Sequence, residues 1–156
     1  SVHRVLGDMM KLQGAVLPGF ELAVCLGDTL PHLPSFEDVD RFLGEVHGVL
    51  ASRGQLLLGF RDLTHVLEGV DRFIPVAQTE ERIMTCFLED RGDRVEVHDL
   101  IHRREESGWM LHKSSYPKLR LSEPDVRNRL KTAGFEIVHS SIEQGQVKML
   151  ARKVAR

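Results

Sequence analysis

The chain has no long hydrophobic run. No stretch approaches 18 consecutive apolar residues, and the apolar part near the amino end is interrupted by Pro18, Gly19 and Glu21. A membrane-spanning helix needs about 20 mainly apolar residues, so the sequence predicts no membrane span. The beginning of the chain also lacks the charged and then apolar pattern of a signal peptide. From these absences we expect a cytoplasmic protein.

Cysteine is scarce. Cys25 and Cys86 each stand inside an apolar strand pattern, and no Cys-x-x-Cys pair occurs, which excludes the common zinc frameworks. His98 and His102 are four residues apart on a predicted strand and therefore share a face. However, no cysteine or acid cluster completes a tetrahedral set. We therefore expect two buried, reduced thiols rather than a disulfide, and no metal.

Basic charge is not in excess. The chain has 21 Lys and Arg against 23 Asp and Glu, for a net charge of −2. A general nucleic-acid binder is normally clearly basic, so we expect no nucleic-acid partner. With 156 residues the chain has the length of a single domain that buries about two-thirds of its unfolded surface.

What the chain does contain is a strand–helix–strand pattern. Residues 20–26 are almost entirely apolar, which is typical of a strand buried on both faces of a parallel sheet. Ser35, with Asp38 three positions later, predicts the beginning of a helix, and Gly54 predicts its end. A second buried strand is expected at 55–60. A right-handed crossover makes these two strands parallel neighbours.

The pattern changes in the middle of the chain. Three segments alternate at period two and are joined by glycine-containing connections, which predicts an antiparallel meander. A third helix is expected from Ser122. The sequence therefore predicts an α/β fold with a mostly parallel sheet, an antiparallel insertion and an antiparallel C-terminal strand. The other expected elements are a strand at 2–6, a short helix at 63–69, an irregular segment at 70–79, meander strands at 82–88, 94–103 and 109–116, and closing strands at 135–140 and 147–154.

Polar side chains follow the first buried strand directly. Gly27, Asp28, Thr29 and His32 come after residues 20–26, and ligands bind at the carboxyl ends of strands in open α/β sheets. Asp28 and His32 are therefore candidates for a general base and a substrate-orienting group. The alternative is a plain turn in which Asp28 caps local backbone amides.

Three segments together resemble class I S-adenosylmethionine-dependent methyltransferases. They are most similar to the small-molecule branch that includes glycine and sarcosine N-methyltransferase-like proteins. The resemblance implies a Rossmann-like sheet, S-adenosylmethionine as methyl donor, and a small-molecule acceptor, with an amine as one option. The segments are Phe-Glu-Leu-Ala-Val-Cys-Leu-Gly-Asp-Thr-Leu-Pro-His-Leu at 20–33, Val-Leu-Ala-Ser-Arg-Gly-Gln-Leu-Leu-Leu at 49–58, and Ala-Gly-Phe at 133–135.

The resemblance also implies roles in cofactor binding. Asp8 and Met9 fall at the turn where such enzymes contact the adenine, with an acid that accepts from the exocyclic amine. Leu26 and Gly27 end the strand whose backbone lies near the methionine part of the cofactor. The segment 82–116 is expected to cover the acceptor site, as an insertion into a single methyltransferase-like domain.

On the acceptor side, the resemblance implies that Asp28, Thr29 and His32 face the methyl acceptor. Arg61 ends the second buried strand. Its guanidinium either binds a carboxylate group of the substrate, whose geometry it matches, or has a solvated or structural role. Tyr116 is expected to stack on an acceptor ring or to pack in the core. We therefore expect Asp28 and His32 as catalytic residues and Thr29, Arg61 and Tyr116 as substrate-binding residues.

One part of the family pattern has no counterpart here. The family's glycine-rich loop and the acid that anchors the cofactor ribose precede its third strand, and no Gly-x-Gly-x-x-Gly occurs in this chain. The chain begins with Ser1 and not with methionine, so we expect a fragment, a processed chain or a trimmed one. Two hypotheses follow. Either further residues complete a methyltransferase, or the chain is catalytically incomplete and acts as a binding or dimerisation module.

The missing part also predicts an open sheet edge. In the family, the strand that corresponds to residues 20–26 pairs with the first strand, which is absent here. An unpaired, mostly apolar edge is a template for pairing with another chain. We therefore expect either a homodimer built across 20–26 or residues 2–6 lying over this edge.

Overall fold

The computed structural model describes residues 2–155. The chain forms two compact units, one made of the residues up to Asp62 and from Leu121 onward, the other of Leu63–Arg120. No helix in the described part of the chain is long and apolar enough to cross a membrane. In chain order the elements are a 3-10 helix Met9–Lys11, α1 Leu12–Ala15, β1 Phe20–Cys25, a 3-10 helix Leu30–His32, α2 Phe36–Val49, β2 Leu50–Arg61, a 3-10 helix Gly69–Arg72, β3 Phe73–Gln78, β4 Arg82–Asp90, β5 Arg94–Glu105, β6 Gly108–Leu119, α3 Glu123–Thr132, β7 Phe135–Glu143 and β8 Gln146–Lys153.

The first unit is built on a four-stranded mixed sheet in the order β1-β2-β8-β7. β1 and β2 are parallel, whereas β8 is antiparallel to both β2 and β7. Three strands therefore run in one direction, and the last strand opposes them, as the sequence predicted. The sequence also predicted a mostly parallel sheet, but most neighbouring strands of this sheet are paired antiparallel. Because β8 lies between β2 and β7, the β1–β2 ladder is the one parallel pair of this sheet within residues 2–155.

The two longer helices begin as the sequence predicted. The hydroxyl of Ser35 accepts a hydrogen bond of 3.0 Å from the backbone N–H of Asp38, and Ser122 accepts one of 3.1 Å from Asp125 in the same way. Each cap satisfies an N–H group that the helix itself leaves unpaired. α2 buries one apolar face, formed by Val39, Phe42, Leu43, Val46 and Val49.

Gly54 does not end α2. The helix ends at Val49, and Leu50 is already extended and begins β2. Gly54 lies inside β2, where a Cβ atom would stand 2.9 Å from the backbone oxygen of Phe20 in β1. The glycine therefore permits the close approach of two strands, which is a second common reason for glycine in a strand.

The second unit is an antiparallel sheet in the order β3-β4-β5-β6. The predicted meander is confirmed, with strands a few residues longer than expected. β3 was missed, because Pro75 lies in the middle of it. An edge strand tolerates proline, and β3 pairs with β4 alone. Leu63, Val95 and Val97 form a core cluster of buried residues in this unit.

Two further expectations were wrong. Residues 2–6 form no strand, and their side chains, such as Leu6, are exposed. They do not cover β1, which therefore has no strand beyond it within the described residues. Residues 63–68 form no helix. Both segments are short, and segments of this length rarely form stable helices or strands alone.

Candidate functional site at the end of β1

The chain turns sharply where β1 ends. Gly27 and Asp28 are consecutive residues with φ angles of 74° and 66°. The left-handed region is unrestricted for glycine and is tolerated by aspartate better than by most residues. The hydroxyl of Thr29 donates a 2.8 Å hydrogen bond back to the carbonyl of Leu26 and closes the turn. The sequence Leu-Gly-Asp-Thr therefore forms a defined strand-end turn.

Asp28 connects the ends of the two parallel strands. Its Oδ1 accepts a 2.7 Å hydrogen bond from the backbone N–H of Arg61, the last residue of β2. The alternative role predicted for Asp28 was capping of local backbone amides, but this amide is 33 residues away and belongs to the neighbouring strand. The Arg61 guanidinium in turn donates to the carbonyl of Gln144 at 3.4 Å, and the amide of Asp62 donates to Gly145 at 2.8 Å. These contacts gather the ends of β1 and β2 and the β7–β8 turn.

His32 lies one turn further along the chain. It ends the 3-10 helix that begins at Leu30 and contains Pro31. Leu30 and Pro31 are buried and Leu33 is 7% exposed, whereas His32 is exposed. Burial of its neighbours therefore fixes the backbone of His32 while the imidazole remains accessible on the surface.

An apolar groove runs beside β1. Its volume is about 410 Å³, within the range of roughly 300 to 1,000 Å³ that is typical of small-molecule pockets. Three predicted site residues, Met9, Leu26 and Thr29, lie on its wall, together with apolar side chains of β1 and α2 such as Val24 and Val46. Burial raises the pKa of Cys25, another residue of this wall, so its thiol is protonated at neutral pH.

Asp8 occupies a different position from the one expected. Because residues 2–6 form no strand, Asp8 does not end one. Its carboxylate accepts a 2.9 Å hydrogen bond from the amide of Met10 and caps the first 3-10 helix. This segment is held to α2 by Gln13, whose backbone N–H donates to the carboxylate of Glu45 at 2.8 Å. The contact brings Met9 to the groove.

Tyr116 belongs to the second unit. It lies on β6, half-buried, and its hydroxyl is 3.5 Å from Oδ1 of Asp99. Asp99 was not predicted as a site residue. Asp99 is paired with Cys86 in the antiparallel register of β4 and β5. The sequence predicted these two strands but not which of their residues are paired, so this contact could not be predicted.

Comparisons with known proteins support one class of fold. No family model matches the chain, and no curated protein matches it significantly. Solved structures do match. An S-adenosylmethionine-dependent methyltransferase from Clostridium acetobutylicum superposes with a TM-score of 0.78 at 15% identity, over 96% of this chain and 63% of that one.

Two further solved structures are described as methyltransferases of sugars. An amino pentose methyltransferase from Micromonospora echinaspora, solved with S-adenosylmethionine, has a TM-score of 0.78 at 14% identity, over 95% of this chain and 63% of that one. A sugar N-methyltransferase from Streptoalloteichus has a TM-score of 0.74 at 15% identity, over 95% and 61%. The chain thus has a fold similar to that of these S-adenosylmethionine-dependent and sugar methyltransferases, and it spans less than two-thirds of their length.

Proposed function

We propose that the chain is the acceptor-side part of an S-adenosylmethionine-dependent methyltransferase that acts on a small-molecule amine. The observation that carries the proposal is the Asp28–Arg61 hydrogen bond, which builds a fixed polar turn at the carboxyl ends of two parallel strands. In α/β sheets this edge binds ligands. An amine is favoured because structurally similar proteins are described as amino pentose and sugar N-methyltransferases.

The cofactor supplies the methyl group when it is bound. Within residues 2–155, Gly27 fits such a ligand, because no atom lies within 4 Å of the position where a Cβ would stand. Asp8 fits less well, since its carboxylate is directed to the amide of Met10. The fit is therefore confined to the end of β1. The cofactor roles of Asp8, Met9, Leu26 and Gly27 stay predictions.

The residues on the acceptor side have different proposed roles, which follow from their positions. Arg61 holds Asp28 through its backbone amide, so we assign Arg61 to positioning. Asp28, Thr29 and His32 then orient the acceptor amine, and the exposed His32 imidazole accepts the proton that leaves it. Methyl transfer from a sulfonium is an in-line displacement, for which orientation of the acceptor contributes most.

The test is titration calorimetry of the chain with S-adenosylhomocysteine, followed by an assay of methyl transfer to a panel of small amines. We expect saturable binding of S-adenosylhomocysteine by the wild-type chain. Asp28→Asn keeps a residue that tolerates the left-handed turn, and His32→Gln removes the proton acceptor. Each variant should lower kcat about 100-fold and leave S-adenosylhomocysteine binding within about twofold, because the proposed cofactor roles belong to other residues than Asp28 and His32.

Asp71→Asn, an exposed change in the second unit, is the matched control and should retain wild-type activity. The absence of any binding by the wild-type chain would contradict the enzymatic proposal for these 156 residues. Equal activity of Asp28→Asn and Asp71→Asn would contradict the assigned role of Asp28 alone.

A second candidate function is a binding or dimerisation module. It is favoured by β1, which pairs with β2 on one side and with no strand on the other within residues 2–155. Side chains along β1 stay half-exposed, with Leu22 at 51% and Val24 at 54%. We propose a second copy of the chain as the occupant, because a two-fold axis normal to the sheet brings β1 and its copy together as antiparallel neighbours.

Three further expectations also remain predictions. They are the single methyltransferase-like domain with an insertion at 82–116, the role of Tyr116 in substrate binding, and the cytoplasmic location.

A further inference from the structure

The antiparallel sheet of the second unit carries a carboxylate in the middle of an apolar face. The register pairs Cys86 with Asp99 and Leu88 with Val97, and it pairs Val97 with Tyr116. Directly paired residues point to the same side of a sheet, and residues two apart on a strand share that side. These five residues therefore occupy one face, here called the Asp99 face.

The Asp99 face is continuous with the unit's core. Cys86, Leu88 and Tyr116 are half-buried against the core residue Val97. On the other side of Asp99 along the strands, Met84 is paired with Ile101 on the same face. Asp99 is thus flanked by apolar side chains along the strand, at the point where the core gives way to the surface.

Asp99 accepts hydrogen bonds through a single oxygen. The thiol of Cys86 donates to Oδ1 at 3.1 Å, and the hydroxyl of Tyr116 approaches the same oxygen at 3.5 Å. Burial, together with the bond to Asp99, raises the pKa of Cys86 to about 11. The thiol is therefore a protonated donor at neutral pH and not a nucleophile.

No positive charge of the described residues forms an ion pair with Asp99. On the same face, the Nζ of Lys118 lies 5.8 Å from the centre of the Tyr116 ring. A half-buried carboxylate with two neutral donors is incompletely compensated, because hydrogen bonds from neutral groups replace only part of its lost hydration. An added cationic donor would complete its environment.

We propose that the Asp99 face binds a small organic amine in its ammonium form. The ammonium group donates to Asp99, and the apolar part of the ligand packs against Met84, Leu88 and Ile101. This site lies within the second unit, and the proposal does not depend on methyl transfer.

The test is an NMR titration of the ¹⁵N-labelled chain with benzylamine hydrochloride at pH 7, in which the chemical shifts of the backbone amides are measured at each ligand concentration. Benzyl alcohol has the same ring and no charge, so it serves as the matched ligand. We expect saturable shifts at amides of β4, β5 and β6 around Asp99 with benzylamine. The affinity for benzyl alcohol should be lower than that for benzylamine by about tenfold or more, because benzyl alcohol lacks the charge-assisted hydrogen bond.

Asp99→Asn should weaken benzylamine binding about tenfold. Glu96→Gln, on the same strand but on the opposite face, should leave the affinity unchanged. The proposal is overturned if benzylamine shifts do not saturate, if benzyl alcohol binds equally well, or if Asp99→Asn retains full affinity. The comparison of the two ligands on the wild-type chain decides the matter even if Asp99→Asn does not fold.

Discussion

At the scale of single residues, Glu123 is a buried charge of the first unit. It is 8% exposed and accepts hydrogen bonds from the guanidinium of Arg127 and, at 2.6 Å, from the hydroxyl of Ser140. These contacts, above all the one from Arg127, hold the pKa of Glu123 below its usual value despite the opposing effect of burial. The ionised form is therefore the one that the fold stabilises.

This arrangement predicts a pH-dependent loss of stability. A carboxyl group whose pKa is lower in the folded state contributes stability above its unfolded pKa and loses that contribution as the pH falls through the folded value. Glu123→Gln should therefore lower the free energy of unfolding by about 1 to 2 kcal/mol at pH 7. The deficit should shrink as the pH falls below about 4. Urea denaturation at several pH values measures both.

The control is Glu136→Gln. Glu136 pairs with Arg152 at 3.3 Å, but its side chain is 57% exposed, and such surface pairs contribute about 0 to 1 kcal/mol. A deficit for Glu123→Gln that stays constant between pH 7 and pH 3, or one no larger than that of Glu136→Gln, would show that the Arg127 and Ser140 contacts do not stabilise the ionised group.

The candidate site shows where residue-level prediction reached its limit. Gly27, Asp28 and Thr29 were identified because a buried strand that ends in polar residues indicates a ligand edge. The partner of Asp28 is the backbone amide of Arg61, 33 positions away. Residue types do not specify such a contact, because every non-proline residue offers the same amide. Asp99 was missed for the same reason, since its environment depends on the exact strand register.

At the scale of elements, the contribution of the Ser35 N-cap of α2 to the free energy of unfolding can be measured. Ser35 and Asp38 exchange hydrogen bonds, because the Ser35 hydroxyl also donates to the Asp38 carboxylate at 3.0 Å. Ser35→Ala should lower the free energy of unfolding by about 1 kcal/mol, whereas Ser35→Asp, another good capping residue, should recover most of it. Chemical denaturation gives both values.

Ser107→Ala, in the exposed turn between β5 and β6, is the matched control. It should change the midpoint of denaturation little. If Ser35→Asp were as unstable as Ser35→Ala, the effect would come from a change in local packing and not from the lost cap.

The elements were easier to predict than their ends. Periodicity located α2, α3 and the meander, because burial of one face imposes a regular spacing. Residues 50–54 of β2 were not predicted as strand. A glycine such as Gly54 is typical of a helix end and equally typical of a close approach of two strands, and the sequence does not distinguish these roles. Val2 and Val5 looked like strand residues, but a strand also needs a partner, and the described residues provide none.

At the scale of the whole molecule, the open edge of β1 predicts self-association. We expect the wild-type chain at about 100 µM to have roughly twice its monomer mass of 17.7 kDa by light scattering. Val24→Lys places a charge beside the unpaired edge and should shift the equilibrium to monomer, since charged side chains are a common protection of sheet edges.

Val70→Lys is the matched control for that experiment. Val70 is 82% exposed in the second unit, so the substitution adds the same charge without touching β1. A wild-type chain that is monomeric at this concentration would contradict the dimer. Equal dissociation by Val24→Lys and Val70→Lys would indicate that net charge, and not pairing at β1, governs association.

The position of β8 at the centre of the first sheet has a consequence for the rate of folding. β8 pairs with β2 across a separation of about 90 residues, as in the pair Leu57 and Leu150, and the whole second unit lies between them in the chain. Closing so large a loop is slow relative to forming hairpins. Hence the β4–β5–β6 meander should fold early, and the docking of β8 between β2 and β7 should limit the rate at which the first unit is completed.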